Sequence, residues 1–262
     1  MQTVTNQDCT LHVRVEGPVD GPVVMFANSL GTDLRIWDLM LPFLPDGLRI
    51  IRFDKRGHGL SDCPNGPYEI DTLVDDAAAV ADAVGVKDVS FVGLSIGGLI
   101  GQGLAAKRPD LVKSLTLMDT AAKIGTAAMW QERIDALSQD GLPATTDMIL
   151  DRWFAPALRN DAQALAPFRN MLSRTPLEGY LGCCHAIAGA DFTASTAALT
   201  IPVMGIAGAE DKSTPPHLVE GTTKLVNAPC HVIADAGHLP CAEKPAEVAA
   251  LITQFLKDSN HV

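Results

Sequence analysis

The sequence Gly-Leu-Ser-Ile-Gly at positions 93–97 decides the fold through its two flanks. The apolar run at 89–92 before it predicts a β-strand, and the small residues at 98–106 after it predict an α-helix. In a Gly-x-Ser-x-Gly sequence, the glycines permit a sharp strand-to-helix turn that holds the serine side chain clear of the sheet. We therefore predict Ser95 as a nucleophile, with an ordinary glycine-rich turn as the alternative.

A nucleophilic serine needs a base that accepts its proton and an acid that orients this base. Two later strand-like runs are followed by such groups, Asp211 and His238, and the order Ser, Asp, His is that of the α/β-hydrolases. Parallel strands bring their C-terminal ends to one edge of a sheet, so we expect these side chains to meet. Asp119 and Glu210 also follow predicted strands and remain alternative acids. For His58 we predict a structural role, or one in shaping the floor of the site.

Acyl transfer also needs N–H donors for the oxyanion of the tetrahedral intermediate. The backbone N–H of Ile96, directly after the nucleophile, supplies the first donor. The second should come from the loop after the early strand at 23–27, where Gly31 allows a close backbone approach. We assign it to the N–H of Leu30, with that of Ser29 as the alternative.

Strand-like and helix-like segments alternate along most of the chain. The predicted strands are 11–15, 23–27, 49–53, 89–92, 112–118, 202–206 and 231–234, and the clearest helices are 70–84 and 243–255. Between 123 and 200 only helical periodicity remains. We predict an α/β-hydrolase fold, a mostly parallel sheet flanked by helices, with residues 1–122 and 201–262 as the core and 123–200 as an inserted helical lid.

Four stretches resemble the 3-oxoadipate enol-lactonases of the α/β-hydrolase superfamily. They are Asn-Ser-Leu-Gly-Thr-Asp at 28–33 with Trp37, Arg-Phe-Asp-Lys-Arg-Gly-His-Gly at 52–59, the glycine-rich 93–98, and Thr-Ala-Ala-Lys-Ile-Gly at 120–125. Trp130 with Arg133, and Arg152-Trp153-Phe154, extend the likeness, which runs from about residue 11 to residue 255. The resemblance implies hydrolysis of an enol-lactone to 3-oxoadipate in aromatic catabolism through protocatechuate or catechol. It implies no cofactor and no metal.

The substrate implied by this resemblance carries a carboxylate outside its ring. Because the net charge of the protein is -11 and a buried unpaired anion is costly, a local cation should bind that carboxylate. Arg133 is our first choice, since it follows Trp130 by three residues and the two would occupy neighbouring positions on a helix. Trp130 and Trp153 are candidate pocket walls. The alternative cations in the predicted lid are Arg152, Arg169 and Arg174.

Composition narrows the remaining classes of function. The 262 residues are 47% hydrophobic, which suits a single α/β core with an insertion, and the acidic charge argues against a nucleic-acid partner. No apolar run has the length of a membrane span, and residues 1–6 lack the parts of a signal peptide, so we expect a cytoplasmic protein. The six scattered cysteines predict neither a zinc site nor a disulfide framework.

Two other functions are compatible with the same triad. A general carboxylesterase or a cofactor-free perhydrolase would use the three residues with a different pocket. A hydrolase-fold ligand receptor would keep the pocket and turn over little. An epoxide hydrolase or a haloalkane dehalogenase is disfavoured, because both need a carboxylate where Ser95 stands.

Overall fold

An eight-stranded sheet forms the centre of the computed structural model, which describes residues 2–262. Its strands are β1 (Gln2–Asn6), β2 (Cys9–Glu16), β3 (Val23–Ala27), β4 (Arg49–Phe53), β5 (Val89–Leu94), β6 (Val112–Met118), β7 (Val203–Gly208) and β8 (Cys230–Ile233). The spatial order is β1-β2-β4-β3-β5-β6-β7-β8. β2 pairs antiparallel with β1 and β4, and the other neighbours pair in parallel. The predicted fold class is therefore confirmed.

Helices cover the sheet and fill the long segment between β6 and β7. In chain order they are α1 (Ile70–Val84), α2 (Ile96–Lys107), α3 (Ala127–Trp153), α4 (Pro156–Arg159), α5 (Ala162–Ser173), α6 (Leu177–Gly189), α7 (Thr193–Ala197), α8 (Pro216–Lys224), α9 (Pro240–Glu243) and α10 (Pro245–Asp258). Gly141, with a φ of 74°, interrupts α3. Within residues 2–262, no helix combines the length and the apolar character that crossing a membrane requires.

The central strands are buried on both faces, and their ends assemble the site. Every residue of β3 and β5 is buried, as their unbroken apolar runs predict for strands covered on both sides. Leu94 at the end of β5 pairs with Met118 at the end of β6, and Met118 pairs with Ile206 near the end of β7. The residues that follow these three strands therefore emerge at one edge of the sheet.

The predicted element bounds hold best in the core. The strands at 23–27, 49–53 and 112–118 and helix α1 at 70–84 have the predicted bounds, and Gly85 ends α1 with a φ of 71°. β1 was not predicted, because its five residues alternate too briefly to give a strand pattern. The predicted helix 243–255 corresponds to α10, which begins at Pro245 and ends at Asp258, and the short helix α9 precedes it; each begins with a proline.

Candidate active site

Ser95 occupies a strained turn between β5 and α2. Its φ of 59° and ψ of -120° lie in a region that residues with a side chain rarely adopt. The surrounding backbone holds it there, because its N–H donates to the Met118 carbonyl at 2.9 Å and its own carbonyl accepts from Thr120 Oγ1 at 2.7 Å. Such strain persists only where neighbouring structure imposes it, and it concentrates at functional sites.

The glycines on both sides of Ser95 have no room for a side chain. A Cβ on Gly97 would overlap the Ala27 carbonyl in β3, and a Cβ on Gly93 would overlap the Gly97 carbonyl. Substituting either glycine would therefore push α2 away from the strands. This close approach is what the Gly-x-Ser-x-Gly sequence predicts for such a turn.

His238 and Asp211 form a buried hydrogen-bonded pair, with His238 Nδ1 at 2.8 Å from Asp211 Oδ2. The other Asp211 oxygen accepts from the Ser213 N–H at 2.7 Å. Burial alone would raise the pKa of Asp211, but the His238 ring and these hydrogen bonds hold it below its usual range. Asp211 thus contacts Nδ1 of the ring and leaves Nε2 available. Glu210, the adjacent alternative, is exposed.

Asp119, the other alternative acid, lies beside this pair. Its Oδ1 accepts from the Gly208 N–H at 2.8 Å, and its buried Oδ2 has no hydrogen-bond partner. Burial, together with the neighbouring Asp211 carboxylate, raises the pKa of Asp119 well above its ordinary value. Asp119 therefore ionises less readily than the neighbouring Asp211.

One group of His, Cys, Asp or Glu side chains in residues 2–262 is close enough to hold a metal ion. It consists of Asp119, Asp211 and His238, with one atom of each within 4.8 Å of the others. A metal ion there would have to displace the 2.8 Å hydrogen bond between Asp211 and His238. The hydrogen bonds of these side chains explain why they lie close together, and a role as metal ligands is not needed to explain it.

The second ring nitrogen of His238 faces the hydroxyl of Ser29, which no sequence pattern singles out. His238 Nε2 lies 3.3 Å from Ser29 Oγ, while the Ser95 hydroxyl makes no hydrogen bond within residues 2–262. Both serines line the same cavity as His238. Contacts between nucleophile and base are often looser before a substrate binds, so Ser95 remains the predicted nucleophile.

The two predicted oxyanion donors have no protein acceptor. Neither the Leu30 N–H nor the Ile96 N–H donates a hydrogen bond to another group of the described chain. Leu30 lines the cavity beside Ser95, and Ile96 is the first residue of α2. An N–H at a helix N-terminus is suited to an anionic oxygen, because the helix dipole favours negative charge there.

The loop that carries Leu30 is held from below by the 52–59 segment. The Gly31 N–H donates to His58 Nε2 at 2.9 Å, and Lys55 Nζ donates to the Ser29 carbonyl at 2.6 Å. Burial, with the nearby Lys55 charge, holds the pKa of His58 well below its usual value, so the ring is neutral. This arrangement fits the alternative prediction for His58, whereas the contribution of Lys55 was not anticipated.

A cavity of about 410 Å³ opens above Ser95 and is roofed by α3 and α6. The core contributes polar groups, and the roof is mainly apolar. Trp153 is buried in the roof, whereas Trp130 is partly exposed and donates through Nε1 to the Ile124 carbonyl at 2.7 Å. Apolar roof residues that line the cavity are Leu137, Met148, Ile149, Trp153 and Ile187. A few polar groups in an apolar cavity are typical of a small-molecule site.

Arg133 reaches this cavity with its charge unpaired. Its Nη2 donates to Tyr180 Oη at 2.6 Å, and its guanidinium carbon lies 5.3 Å from the Trp130 ring centroid. In the described chain no carboxylate lies within ion-pairing distance of it. Of the other lid arginines, Arg152 lines the same cavity but is exposed, Arg169 pairs with Asp147 at 2.5 Å, and Arg174 lines a different cavity.

The end of α3 is joined to the loop that carries the base. The His238 N–H donates to the Trp153 carbonyl at 2.7 Å. Glu243 bridges the same two segments, because one carboxyl oxygen accepts from the Ala155 N–H at 2.8 Å and the other from the Gly237 N–H at 2.7 Å. Burial raises the pKa of Glu243 to about 7, although the two N–H donors favour its charged form.

Comparisons with known proteins agree with this geometry. Residues 22–245 match a family described as alpha/beta hydrolase fold. The chain is 34% identical to 3-oxoadipate enol-lactonase 2 of Acinetobacter baylyi, over 98% of this chain and 97% of that protein. The crystal structure of the enol-lactonase from Burkholderia xenovorans LB400 superposes with a TM-score of 0.93 at 31% identity, covering 98% of this chain and 100% of that one.

A more distant relative has a different name. The non-heme chloroperoxidase of Streptomyces lividans is 28% identical over 82% of this chain and 84% of its own length. The enol-lactonase likeness is higher in identity and covers more of the chain. The chain therefore belongs to the α/β-hydrolase family, and within it to the group of ester-hydrolysing enzymes that includes the 3-oxoadipate enol-lactonases.

Proposed function

We propose that this enzyme hydrolyses 3-oxoadipate enol-lactone to 3-oxoadipate, in aromatic catabolism through protocatechuate or catechol. The observation that carries the proposal is the position of Arg133, an arginine without a carboxylate partner in the described chain, in the same cavity as Ser95 and His238. A lactone with a carboxylated arm would place its carbonyl at Ser95 and its charge at the arginine.

The first half of the proposed reaction forms an acyl-enzyme. Ser95 Oγ attacks the lactone carbonyl while His238 Nε2 accepts the serine proton, and Asp211 stabilises the imidazolium. The Leu30 and Ile96 N–H groups stabilise the oxyanion of the tetrahedral intermediate. When this intermediate collapses, the ring oxygen leaves and takes the proton from His238. The departing group is an enol, which tautomerises to a ketone, so ring opening is strongly favoured.

The second half regenerates the serine. His238 takes a proton from water, and the resulting hydroxide attacks the acyl carbonyl. The same two N–H groups stabilise the second oxyanion, and Ser95 leaves with the proton that His238 returns. No step requires a cofactor or a metal ion. Product release then frees a dicarboxylate that carries a ketone.

We propose that residues 123–200 act as a lid over this chemistry. Trp130 holds the Arg133 guanidinium against its ring, and Trp153 closes the roof near the base. An apolar roof excludes water and strengthens the attraction between Arg133 and a substrate carboxylate. The position of Arg133, rather than the net charge of the protein, would then give specificity for an anionic substrate.

We place the enzyme in the cytoplasm, as predicted from the sequence. All six cysteines are free thiols, and the side chain of Cys63 is exposed. A reducing compartment keeps such thiols reduced. Fractionation of the source cells, with enol-lactonase activity followed in each fraction, tests this location.

The function is tested by following the loss of enol-lactone absorbance with the purified protein. We expect consumption over many turnovers, and no consumption with Ser95→Ala. The carboxylesterase alternative predicts far higher activity on p-nitrophenyl esters than on the lactone. The perhydrolase alternative predicts peroxide-dependent peracid formation from a carboxylic acid. A ligand receptor would bind the lactone and consume about one equivalent or less.

A further inference from the structure

Lys55 is a buried cation without a carboxylate partner. It is only 1% exposed, and within residues 2–262 no carboxylate lies within ion-pairing distance of its ammonium. Nζ instead donates to the Ser29 carbonyl at 2.6 Å and to the Thr32 carbonyl at 3.2 Å. Lysine is almost never fully buried unless it is paired, because leaving water costs several kcal/mol. The loop around Leu30 is therefore stabilised at a considerable desolvation cost.

The Ser29 carbonyl and the Leu30 N–H belong to one peptide group. A trans peptide is planar, so its carbonyl and its N–H point in opposite directions. The Ser29 carbonyl also accepts from Thr32 Oγ1 at 2.8 Å and from the Thr32 N–H at 3.3 Å. Three donors fix the carbonyl, and they thereby fix the direction of the Leu30 N–H. A cation at the oxygen also draws electrons from the peptide and makes its N–H a stronger donor.

The other predicted donor is held in the same way. Ile96 shares its peptide with the Ser95 carbonyl, which accepts from the Gly98 N–H at 2.8 Å, from the Leu99 N–H at 3.3 Å and from Thr120 Oγ1 at 2.7 Å. Both carbonyls thus have three donors. The two peptides differ in one respect within the described chain: Ser29 has an ammonium among its donors, and Ser95 has neutral groups alone.

We propose that Lys55, as an ammonium, is a positioning residue that aims and polarises the Leu30 N–H toward the oxyanion that forms at Ser95. The proposal rests on the acyl-transfer chemistry of the proposed function and adds an electrostatic origin for one of its two donors. Such a charge acts mainly in the transition state, because the carbonyl oxygen of the bound substrate becomes fully negative only there. Lys55 should therefore affect kcat more than KM.

The protonation state of Lys55 gives the proposal a pH signature. Burial lowers the pKa of Lys55 to about 8. The titratable groups that face it are Asp33, Asp54, His58 and Cys183. Burial raises the pKa of the Cys183 thiol to about 12, and burial with the nearby Lys55 charge holds the pKa of His58 well below its usual value. In mildly alkaline solution, Lys55 therefore loses its charge, while the Cys183 thiol and the His58 ring do not change theirs.

The experiment measures how fast Ser95 reacts with a p-nitrophenyl alkylphosphonate. Ser95 Oγ bonds to phosphorus, the serine proton passes to His238, p-nitrophenolate leaves, and the phosphoryl oxygen takes the place of the oxyanion. The release of p-nitrophenolate is followed from about pH 7.5 to about pH 10, above the pKa of Glu243. The readout does not depend on which ester or lactone is the natural substrate.

We expect the wild-type rate constant to fall as pH rises through about 8, since Lys55 loses its proton there. Lys55→Met should react about 10- to 100-fold more slowly, with no fall near this pH, and should lower kcat for an aryl ester while leaving KM unchanged. Lys55→Arg, which stays charged, should move the fall beyond about pH 10. The matched control is Lys113→Met: Lys113 also donates to a backbone carbonyl, that of Asn260 at 2.9 Å, and this variant should behave as wild type.

A wild-type rate constant that does not fall near pH 8 overturns the proposal, as does a Lys55→Met variant with the wild-type rate and pH profile. The wild-type measurement uses the native protein, so the test stands even if Lys55→Met does not fold. The substrate assignment is judged separately. A protein that shows the expected phosphonylation profile but consumes no enol-lactone would refute the proposed substrate and leave the role of Lys55 intact.

Discussion

Asp119 and Asp211 bring carboxyl oxygens within 4.8 Å of each other beside His238, and their pKa values are shifted in opposite directions. Two neighbouring carboxyl groups in a buried site do not ionise equally. Asp211 keeps its negative charge because it accepts hydrogen bonds from the His238 ring and the Ser213 N–H. Asp119 accepts from the Gly208 N–H, and burial beside the Asp211 carboxylate raises its pKa well above its ordinary value. The hydrogen bonds therefore distinguish Asp211, which contacts the His238 ring, from Asp119, which contacts the Gly208 N–H.

This difference predicts unequal losses when each acid is changed to its amide. Asp211→Asn should leave His238 poorly oriented and lower kcat by about 10³- to 10⁴-fold, as loss of the orienting carboxylate does in serine proteases. Asp119→Asn changes a carboxyl group that makes no hydrogen bond to His238, so kcat should change by a few-fold at most. Steady-state kinetics on the enol-lactone measure the loss of kcat in each variant, and circular dichroism checks that both variants fold. A reversed ranking would assign the acid to the strand end of β6.

Two serines near the base provide a matched pair of variants. Ser95→Ala should abolish turnover while preserving the fold, because serine and alanine differ by one small polar atom. Ser29→Ala removes the hydroxyl that lies 3.3 Å from His238 Nε2 and leaves the backbone donors unchanged, so most activity should remain. Burst release of p-nitrophenol from an ester measures acylation in each variant. Acylation that survives in Ser95→Ala and is lost in Ser29→Ala would identify Ser29 as the nucleophile.

Specificity for a carboxylated substrate should depend on Arg133. Arg133→Ala removes a charge-assisted contact and should lower kcat/KM for the enol-lactone by about 10- to 100-fold, while sparing a neutral lactone of similar size. Arg152→Ala is the control, since Arg152 lines the same cavity but is exposed and donates to the Lys212 carbonyl. Equal losses on charged and neutral substrates would mean that Arg133 supports the roof and does not bind the carboxylate.

Glu243 should make the stability of the fold depend on pH. The pKa of its side chain is raised from 4.5 to about 7 in the folded protein, so the folded state binds more protons than the unfolded state between these values. Its contribution to the free energy of unfolding is therefore complete below about pH 4.5 and is lost as pH rises through about 7. Urea unfolding of wild type and Glu243→Gln across this range measures the effect. Parallel pH profiles for the two proteins would exclude Glu243 as its source.

Sequence patterns predicted those parts of the molecule that are determined by short, continuous stretches of residues. Buried parallel strands appear as continuous apolar runs, which is why the bounds of β3, β4 and β6 are confirmed. The strand-end rule also predicted that Asp211 and His238 would lie together, and their side chains are 2.8 Å apart. The helical roof was predicted as a region, but the break at Gly141 and the separate helices within it were not.

The unpredicted features depend on contacts between distant residues. The ammonium of Lys55 meets the Ser29 carbonyl across 26 positions, and the Ser29 hydroxyl meets His238 across 209. No periodicity records such pairs, because each residue has an ordinary sequence neighbourhood. Strand β1 was not predicted for a related reason. An edge strand is stabilised by pairing with its partner, here β2, more than by the pattern of its own five residues.

The hydrogen bond from the His238 N–H to the Trp153 carbonyl has a consequence for recombination between members of this family. An exchange of the roof, residues 123–200, between two relatives would take residues 153–155 from one parent and the loop around the proposed base His238 from the other. A chimera in which 153–155 and 237–243 come from different parents would have an intact cavity wall and a misplaced imidazole. Chimeras that transfer both segments together should retain turnover, and gradual divergence of the roof should therefore be accompanied by compensating changes around position 237.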